Sequence, residues 1–175
     1  MYVDFTGDRL SITDPTSGES TPVDVFVATL PCSHYTFCKA VASQRKEDFI
    51  GACEDALRFY GGVPMAIVPD NLKSAVNRPD KVEPIINQDF AAFAEHYGCV
   101  VMPARVRRPQ DKALVENAVK LIYRHIYPSL KSCTFTSLDD LNSAMSMLLK
   151  KFNSTKMASR PYSRQSLFEE VEKDY

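Results

Sequence analysis

Three carboxylates lie at positions from which they could act on one substrate. Asp4 falls inside an expected first strand, where aspartate is disfavoured unless it has a use. Asp70 directly follows a short apolar run, and Glu116 lies near the start of an expected helix. Carboxylates that converge hold the divalent cations of phosphoryl transfer, because the metal ions neutralise charge on the attacking and leaving oxygens. The pattern therefore indicates a metal-dependent site for phosphoryl transfer.

Each carboxylate also has a plain structural explanation. Asp4 would fit the solvent face of a strand, and Asp70 would fit a turn in the sequence Pro-Asp-Asn. Glu116 would fit a surface ion pair with Lys120, one turn further along the helix. The joint interpretation is favoured because the expected topology brings all three positions near one another.

Two other acidic residues are rivals for the same site. Asp8 has the strand parity of Asp4, so it is expected near the site, whereas Asp111 suits the N-cap of the helix that carries Glu116. In that helix the apolar residues define one side, and Glu116 and Lys120 lie away from it. Glu116 is therefore preferred over Asp111 as the third carboxylate.

The order of elements predicts an α/β fold with a mixed sheet. Strands are expected at 2–12, 23–30, 35–42, 64–70 and 99–102, and helices at 46–60, 88–97, 111–126 and from Ser137 onward. The first three strands make an antiparallel meander and the last two are parallel, with helices on both faces. This is the ribonuclease H-like order. We expect a core over residues 1–152 and a partly irregular C-terminal extension over 153–175.

Charge is unevenly distributed in a chain whose net charge is −1. Residues 1–24 carry five acidic side chains against Arg9 alone, while residues 103–131 carry seven basic side chains against two acidic ones. Such a split would suit a protein that holds metal with one part and phosphate with another, but on charge alone two solvated faces are the favoured explanation. No apolar run approaches a membrane span, and no signal peptide is recognisable. Five cysteines without a CxxC pair suit a reducing cytoplasm.

Basic and polar residues flank the three carboxylates. The expected phosphate-contacting residues are Arg105, Arg107, Arg108, Lys120 and Lys73. The expected supporting residues are Asn71 and Asn117, which adjoin Asp70 and Glu116. Solvated surface charge is the alternative for all the basic residues, and it is as strong as the functional interpretation for Lys73. The three histidines are dispersed and show no ligand spacing.

Three segments carry a family resemblance. VDFTGD at 3–8, VPDNLKSAV at 68–76 and PARVRRPQDKALVENAV at 103–119 closely resemble the integrase-type core of IstA transposases, from bacterial insertion-sequence family twenty-one. The resemblance extends over essentially the whole chain. It implies a ribonuclease H-like core that uses Asp4, Asp70 and Glu116 with two magnesium (or manganese) ions to cut and join DNA.

The same resemblance implies partners and neighbouring modules. The partners would be transposon-end and target DNA, an ATPase helper of the IstB type, and further copies of the chain in a synaptic complex. Because family members carry helix-turn-helix modules before the core and a further region after it, Met1 is expected to begin a fragment or truncated copy that largely lacks end recognition. Two alternatives remain: a structure-selective nuclease on the same fold, and a non-catalytic DNA-binding or assembly module.

Overall fold

A computed structural model of the chain describes residues 1–70, 76–78, 85–103 and 109–175. In chain order the elements are β1 (Tyr2–Phe5), β2 (Leu10–Thr13), β3 (Ser20–Thr29), β4 (Thr36–Val41), α1 (Lys46–Tyr60), β5 (Ala66–Pro69), β6 (Val76–Arg78), β7 (Ile85–Ile86), α2 (Gln88–Tyr97), β8 (Val100–Val101), α3 (Pro109–His125), α4 (Tyr127–Lys131), α5 (Leu138–Ser154) and α6 (Arg164–Leu167), followed by a π-helical turn at Phe168–Glu172.

The main sheet is mixed, as predicted. Strand β3 pairs antiparallel with β4 on one side, and with both β1 and β2 on the other. Strand β1 pairs in parallel with β5, and β5 in parallel with β8. Strands β6 and β7 form a separate antiparallel pair. The ribonuclease H-like arrangement of antiparallel strands followed by parallel ones is therefore confirmed.

A bulge interrupts the first strand, which was expected to run unbroken over 2–12. Phe5 pairs with Phe26 and Leu10 pairs with Val23, so four residues at 6–9 lie opposite two residues of β3. The backbone N–H of Thr6 still donates to the carbonyl of Val25 at 2.9 Å. An insertion of this kind bends a strand and increases its twist. The prediction of one continuous strand is wrong in its middle.

Helices cover both faces of the sheet because β3 is apolar on both sides. Phe26 and Ala28 point to the face that α1 and α2 cover, with Phe49 and Phe90 packed there. The alternate positions of β3 point to the other face, where α3 and α5 pack. The core residues of that second face include Val23, Val25, Val27, Ala118, Ile122, Ile126, Leu141 and Met145. A strand buried on both faces explains the almost continuous apolar sequence at 23–30.

Helix ends follow from local sequence at most positions. The side chain of Asn87 accepts hydrogen bonds from Asp89 and Phe90 to cap α2, while Gly61 and Gly98 end α1 and α2 in the left-handed conformation, at φ 72° and 71°. Helix α3 begins at Pro109, three residues before the first helical position that an Asp111 cap requires. The N-cap interpretation of Asp111 is therefore wrong, because proline initiates the helix at its first position.

Two asparagines of α5 form hydrogen bonds with the backbone along the free edge of β4. Asn142 accepts from the Ala40 N–H at 2.7 Å and donates to the Ala40 carbonyl at 2.9 Å. Asn153 does the same for Thr36, at 3.2 Å and 2.8 Å. Each side-chain amide thus replaces one peptide group of a missing neighbour strand. An edge covered in this way does not present unpaired backbone groups to another chain.

The C-terminal extension packs against the core. Phe168 is buried, and its ring stacks on Tyr35 with centroids 4.7 Å apart. The Glu172 carboxylate accepts hydrogen bonds from the N–H groups of Cys32 and Ser33 in the turn between β3 and β4. These contacts fasten the chain end to the sheet end opposite Asp70.

Candidate active site

Asp4 and Asp70 are neighbours across two parallel strands. Tyr2 pairs with Val68 and Val3 pairs with Pro69, so Asp4 and Asp70 occupy the next positions of the register. The N–H of Asp70 donates to the Val3 carbonyl at 3.3 Å, which continues the ladder to this point. Paired residues of parallel strands point to the same face, about 4.8 Å apart. Since Val3 and Phe5 pack with α1 and α2, Asp4 points to the face covered by α3.

The Asp4 carboxyl is partly buried and surrounded by charge. The pKa of Asp4 is raised to about 7, chiefly by burial and also by the negative charges of Asp70 and Glu116, against the lowering effects of the Phe5 N–H and the Lys112 ammonium. The Phe5 N–H donates to Oδ1 of Asp4 at 2.8 Å. All three carboxylates therefore interact electrostatically. A carboxyl held in this way favours any cation that comes to rest beside it.

Helix α3 carries Glu116 and is fixed to the bulge after β1. The Tyr127 hydroxyl, in α4 just beyond α3, donates to the Asp8 carbonyl at 2.7 Å and lies 2.8 Å from the Thr6 hydroxyl. The Tyr123 hydroxyl accepts from the Asp8 N–H at 2.9 Å. The bulge thus acts as the docking point that sets α3 across the end of β1. Glu116 itself is exposed, on the side of the helix away from the core, as the periodicity predicts.

Lys112 is the residue of this site that the sequence analysis missed. Its Nζ lies 3.3 Å from Oδ1 of Asp70, a carboxylate that is only 18% exposed. That oxygen is buried and has no hydrogen-bond partner among the described residues, so the contact is electrostatic. Lys112 lies one helical turn before Glu116, a spacing that was available in the sequence as a signal. It was counted only as part of a basic segment.

The donor set at this site fits a hard divalent cation. Carboxylate oxygens are the ligands that magnesium and manganese prefer. Oδ1 of Asp70 has no hydrogen-bond partner among the described residues, so it can still accept a ligand bond. The Lys112 ammonium already places one positive charge beside it. In the described parts of the chain, no three His, Cys, Asp or Glu side chains are grouped closely enough to hold a metal ion. The carboxylates offer the oxygen ligands that such a cation prefers, while the Lys112 ammonium occupies part of the space beside Asp70.

The remaining expected residues have different outcomes. Lys120 and Asn117 are exposed on α3, and Lys120 makes no ion pair with any residue that the structure describes. The Asp8 carboxylate pairs with Lys131 of α4 at 2.7 Å. The charges that shift the pKa of Asp4 belong to other residues, not to Asp8. The strand parity that related Asp8 to Asp4 is interrupted by the bulge. The expected residues Asn71, Lys73, Arg105, Arg107 and Arg108 lie outside the described residues.

The sequence model of the integrase core domain matches residues 2–109, which include β1, β5 and the first two carboxylates. This chain belongs to the integrase core domain family. The match ends before Glu116, so the assignment of Glu116 as the third carboxylate depends on the geometry of α3 and on the motif resemblance.

Transposases from bacteria are similar to this chain over much of its length. A candidate transposase of Sinorhizobium fredii is 43% identical over 173 residues, which is 99% of this chain and 34% of that protein. The transposase for insertion sequence element IS21 of Pseudomonas aeruginosa is 28% identical over 111 residues, 63% of this chain and 28% of that protein. The resemblance to the family of that element is therefore confirmed. The chain spans about a third of the length of these relatives.

Solved structures of retroviral integrases share the fold. The catalytic core domain of BIV integrase superposes with a TM-score of 0.68 at 10% identity, covering 98% of this chain and 95% of that one. The catalytic core domain of HTLV-2 integrase, solved with magnesium, gives 0.60 at 19% identity and covers 93% of each chain. Within the described residues, no helix is long and apolar enough to cross a membrane.

Proposed function

We propose that this chain is the catalytic core of a DNA transposase, which cuts DNA and joins the exposed 3′-hydroxyl to a target strand. One observation carries the proposal. In an integrase core chain, the strand register places Asp4 beside Asp70, and the charge of Glu116 reaches Asp4 from α3. Three carboxylates on two adjacent strands and one covering helix suit a site that acts on a phosphodiester.

The carboxylates have distinct proposed roles. Asp4, whose carboxyl is affected by the charges of both Asp70 and Glu116, would help to hold both divalent ions, and Asp70 and Glu116 would each help to hold one. When bound, two magnesium or manganese ions would supply Lewis acidity to the attacking and leaving oxygens. The protein contributes position: the β1–β5 register sets the spacing of Asp4 and Asp70, and the tyrosine contacts to the bulge set that of Glu116. The Lys112 ammonium would compete with a cation for the Asp70 carboxylate.

DNA is the proposed partner of the residues around the triad. Lys120 lies one turn beyond Glu116 and is exposed without an ion pair among the described residues, so it is free to contact a phosphate next to the reacting one. The further proposed phosphate contacts are Arg105, Arg107, Arg108 and Lys73, with Asn71 and Asn117 in support. Transposon-end DNA, target DNA, an IstB-type ATPase helper and further copies of the chain complete the proposed assembly.

A strand-joining assay tests this function against its rivals. The chain would be incubated with Mn²⁺, a pre-cut transposon-end duplex and a target plasmid, and joined products would be counted. We expect products with the wild type and with Asp111→Asn, and none with Glu116→Gln. Cutting without joining would instead assign a structure-selective nuclease. Metal-independent DNA binding without any cutting would assign a non-catalytic module, and a Glu116→Gln chain that no longer unfolds cooperatively would mark that residue as structural.

A further inference from the structure

The C-terminal part of the chain carries a second basic surface. From Leu141 to Phe168 the sequence contains five basic residues and no acidic one. We call these five residues the distal basic surface, and they are Lys150, Lys151, Lys156, Arg160 and Arg164. Lysines 150, 151 and 156 and Arg160 are exposed, and Arg164 is half-buried. A stretch of this length without an acidic residue leaves its positive charge uncompensated locally.

The five charges also lack close counter-ions among the described residues. None of them forms an ion pair with a residue that the structure describes. Several basic side chains elsewhere are paired, such as Arg9 with Asp24, Lys39 with Asp55 and Lys131 with Asp8. Unpaired basic side chains grouped on one surface are what a polyanion binds, because its phosphates replace the missing carboxylates.

Arg164 is held in one position without a counter-ion. Its guanidinium carbon lies 4.1 Å from the centroid of the Phe152 ring, within the range of a cation–π contact. Its Nε is buried and has no hydrogen-bond partner in the described parts of the chain. Arg160 lies close by, since both arginines lower the pKa of His34, after the larger effect of that histidine's burial. A guanidinium fixed by stacking loses little entropy when it binds a phosphate.

A row of side chains connects this surface to the candidate active site. Glu116, Lys120 and Arg124 follow one another at intervals of four residues along α3, and all three are exposed. Eight residues of helix span about 12 Å. Beyond Arg124, the His125 ring lies 5.7 Å from the Phe152 ring, and Phe152 in turn carries Arg164. Positive side chains therefore continue from the triad across α3 to the end of α5.

We propose that the distal basic surface binds the phosphate backbone of duplex DNA, on the part of the duplex that extends beyond the reacting phosphate. This inference rests on the proposed function, since it takes the triad as one end of the DNA path. Contacts of lysine and arginine to phosphate position a duplex without reading its sequence. Binding here would hold the DNA in one direction across α3, so that a single phosphate is presented to Asp4, Asp70 and Glu116.

Duplex length is the variable that isolates this surface. A hairpin with a stem of about 6 base pairs, about 20 Å long, offers far fewer phosphates beyond the reacting one than a duplex of about 24 base pairs, about 80 Å long. Binding of both DNAs would be measured by fluorescence anisotropy across a KCl series. The test variants are Arg160→Gln/Arg164→Gln and Lys150→Gln/Lys151→Gln/Lys156→Gln. The arginine variant removes the stacking of Arg164 on Phe152 and could lose the fold for that reason. The lysine variant changes only exposed side chains, so it should keep the fold.

The matched control is Arg45→Gln/Lys173→Gln. Both residues are exposed and unpaired within the described residues, and the double change alters net charge as much as the arginine variant does. For the long duplex, we expect each test variant to lower the slope of log K against log salt by about 0.9 per lost contact. Affinity for that duplex should fall about tenfold at low salt. The short hairpin and the control should show the wild-type slope.

The outcomes separate this inference from the proposed function. An unchanged slope in both test variants would overturn the inference, and these basic residues would then serve another acidic partner or none. An equal loss on both DNAs would also overturn it, because the effect would not depend on reach. If the length-dependent loss appears in a protein that joins no strands, the surface is a DNA-binding site and the proposed catalysis fails alone. The Glu116→Gln variant should keep the wild-type slope for both DNAs.

Discussion

The ammonium of Lys112 lies 3.3 Å from the Asp70 carboxylate, so a residue proposed to bind metal already has an internal counter-ion. The same ammonium lowers the pKa of Asp4, against the raising effects of burial and of two neighbouring carboxylates. Lys112 therefore reduces the repulsion among three acidic groups. A divalent cation at Asp70 would compete with this ammonium, which would couple metal binding to the position of the Lys112 side chain.

Replacing Lys112 should make magnesium binding tighter. In Lys112→Gln the competing positive charge is gone, and because the lysine side chain is 36% exposed we expect a gain of no more than about fivefold. Thermal unfolding across a MgCl₂ titration measures the apparent affinity. The matched control is Lys120→Gln on the same helix, which should leave the affinity unchanged. Weaker magnesium binding in Lys112→Gln would show that the lysine organises the site instead of competing for it.

The Asp4 carboxylate should destabilise the folded chain when no metal is bound. Its pKa is about 7 in the folded chain against an ordinary value of 3.8, so the folded state holds more protons than the unfolded state between these values. Stability should therefore fall as pH rises from about 4 to about 7. In EDTA at pH 8, Asp4→Asn should be more stable than wild type by about 2 kcal/mol, and the difference should vanish near pH 4.

Urea unfolding at both pH values measures this effect. The matched control is Asp8→Asn, whose carboxylate is exposed and paired with Lys131. That variant should show no comparable gain at pH 8. A difference between Asp4→Asn and wild type that does not change with pH would contradict the burial of the Asp4 carboxyl.

Asn153 should stabilise the sheet edge strongly. It is 1% exposed, and both of its hydrogen bonds go to the backbone of Thr36 on β4. Asn153→Ala leaves a buried N–H and a buried carbonyl unpaired, which should cost about 2–4 kcal/mol. Asn142→Ala should cost less, because the Asn142 side chain is only partly buried. Chemical denaturation gives both values, and equal losses would argue that burial does not control the effect.

DNA should change the titration of His34. Burial lowers the pKa of His34, Arg164 and Arg160 lower it further, and Glu172 acts in the opposite direction. Phosphates that neutralise the two arginines would remove part of the lowering, so the pKa of His34 should rise when the long duplex binds. NMR titration of the histidine ring with and without the duplex measures the shift, and His96, in α2 on the other face of the sheet, serves as the internal reference. A His34 pKa that stays constant on saturation with DNA would contradict binding at this surface.

Local sequence was sufficient to predict most elements. Helix α1 was predicted at its observed bounds because its period changes sharply and Gly61 ends it. The buried strand before Asp70 was predicted from a short apolar run between prolines, and its register with β1 then follows from parallel pairing. Glu116 was placed on the exposed side of α3 by periodicity alone.

Long-range contacts account for what the sequence did not predict. The hydroxyl groups of Tyr123 and Tyr127, more than 110 positions away, form hydrogen bonds with the bulge at 6–9. No local sequence pattern predicts this bulge. The Lys112–Asp70 pair likewise joins a helix to a strand end across 42 positions of sequence, from 70 to 112. Alternation within a strand predicts which face a residue occupies only while pairing is regular, which is why Asp8 was misplaced.

The distal basic surface illustrates a different limit. The sequence shows five basic residues without acidic neighbours, but such a segment is equally typical of a solvated helix end. Only the placement of Arg164 on Phe152, and of Phe152 next to His125, relates that segment to the helix that carries Glu116. Spatial continuity of charge is a property of the fold.

The most direct test of the proposed site is the anomalous scattering of manganese in a crystal of this chain soaked in MnCl₂. We expect a manganese peak coordinated by carboxylate oxygens of both Asp4 and Asp70, with the Lys112 ammonium moved away from Asp70 and Glu116 turned toward the metal. Manganese bound only at Asp8, at Asp111 or at the acidic side chains around Lys39, with Lys112 still on Asp70, would contradict the metal-binding role of Asp4, Asp70 and Glu116.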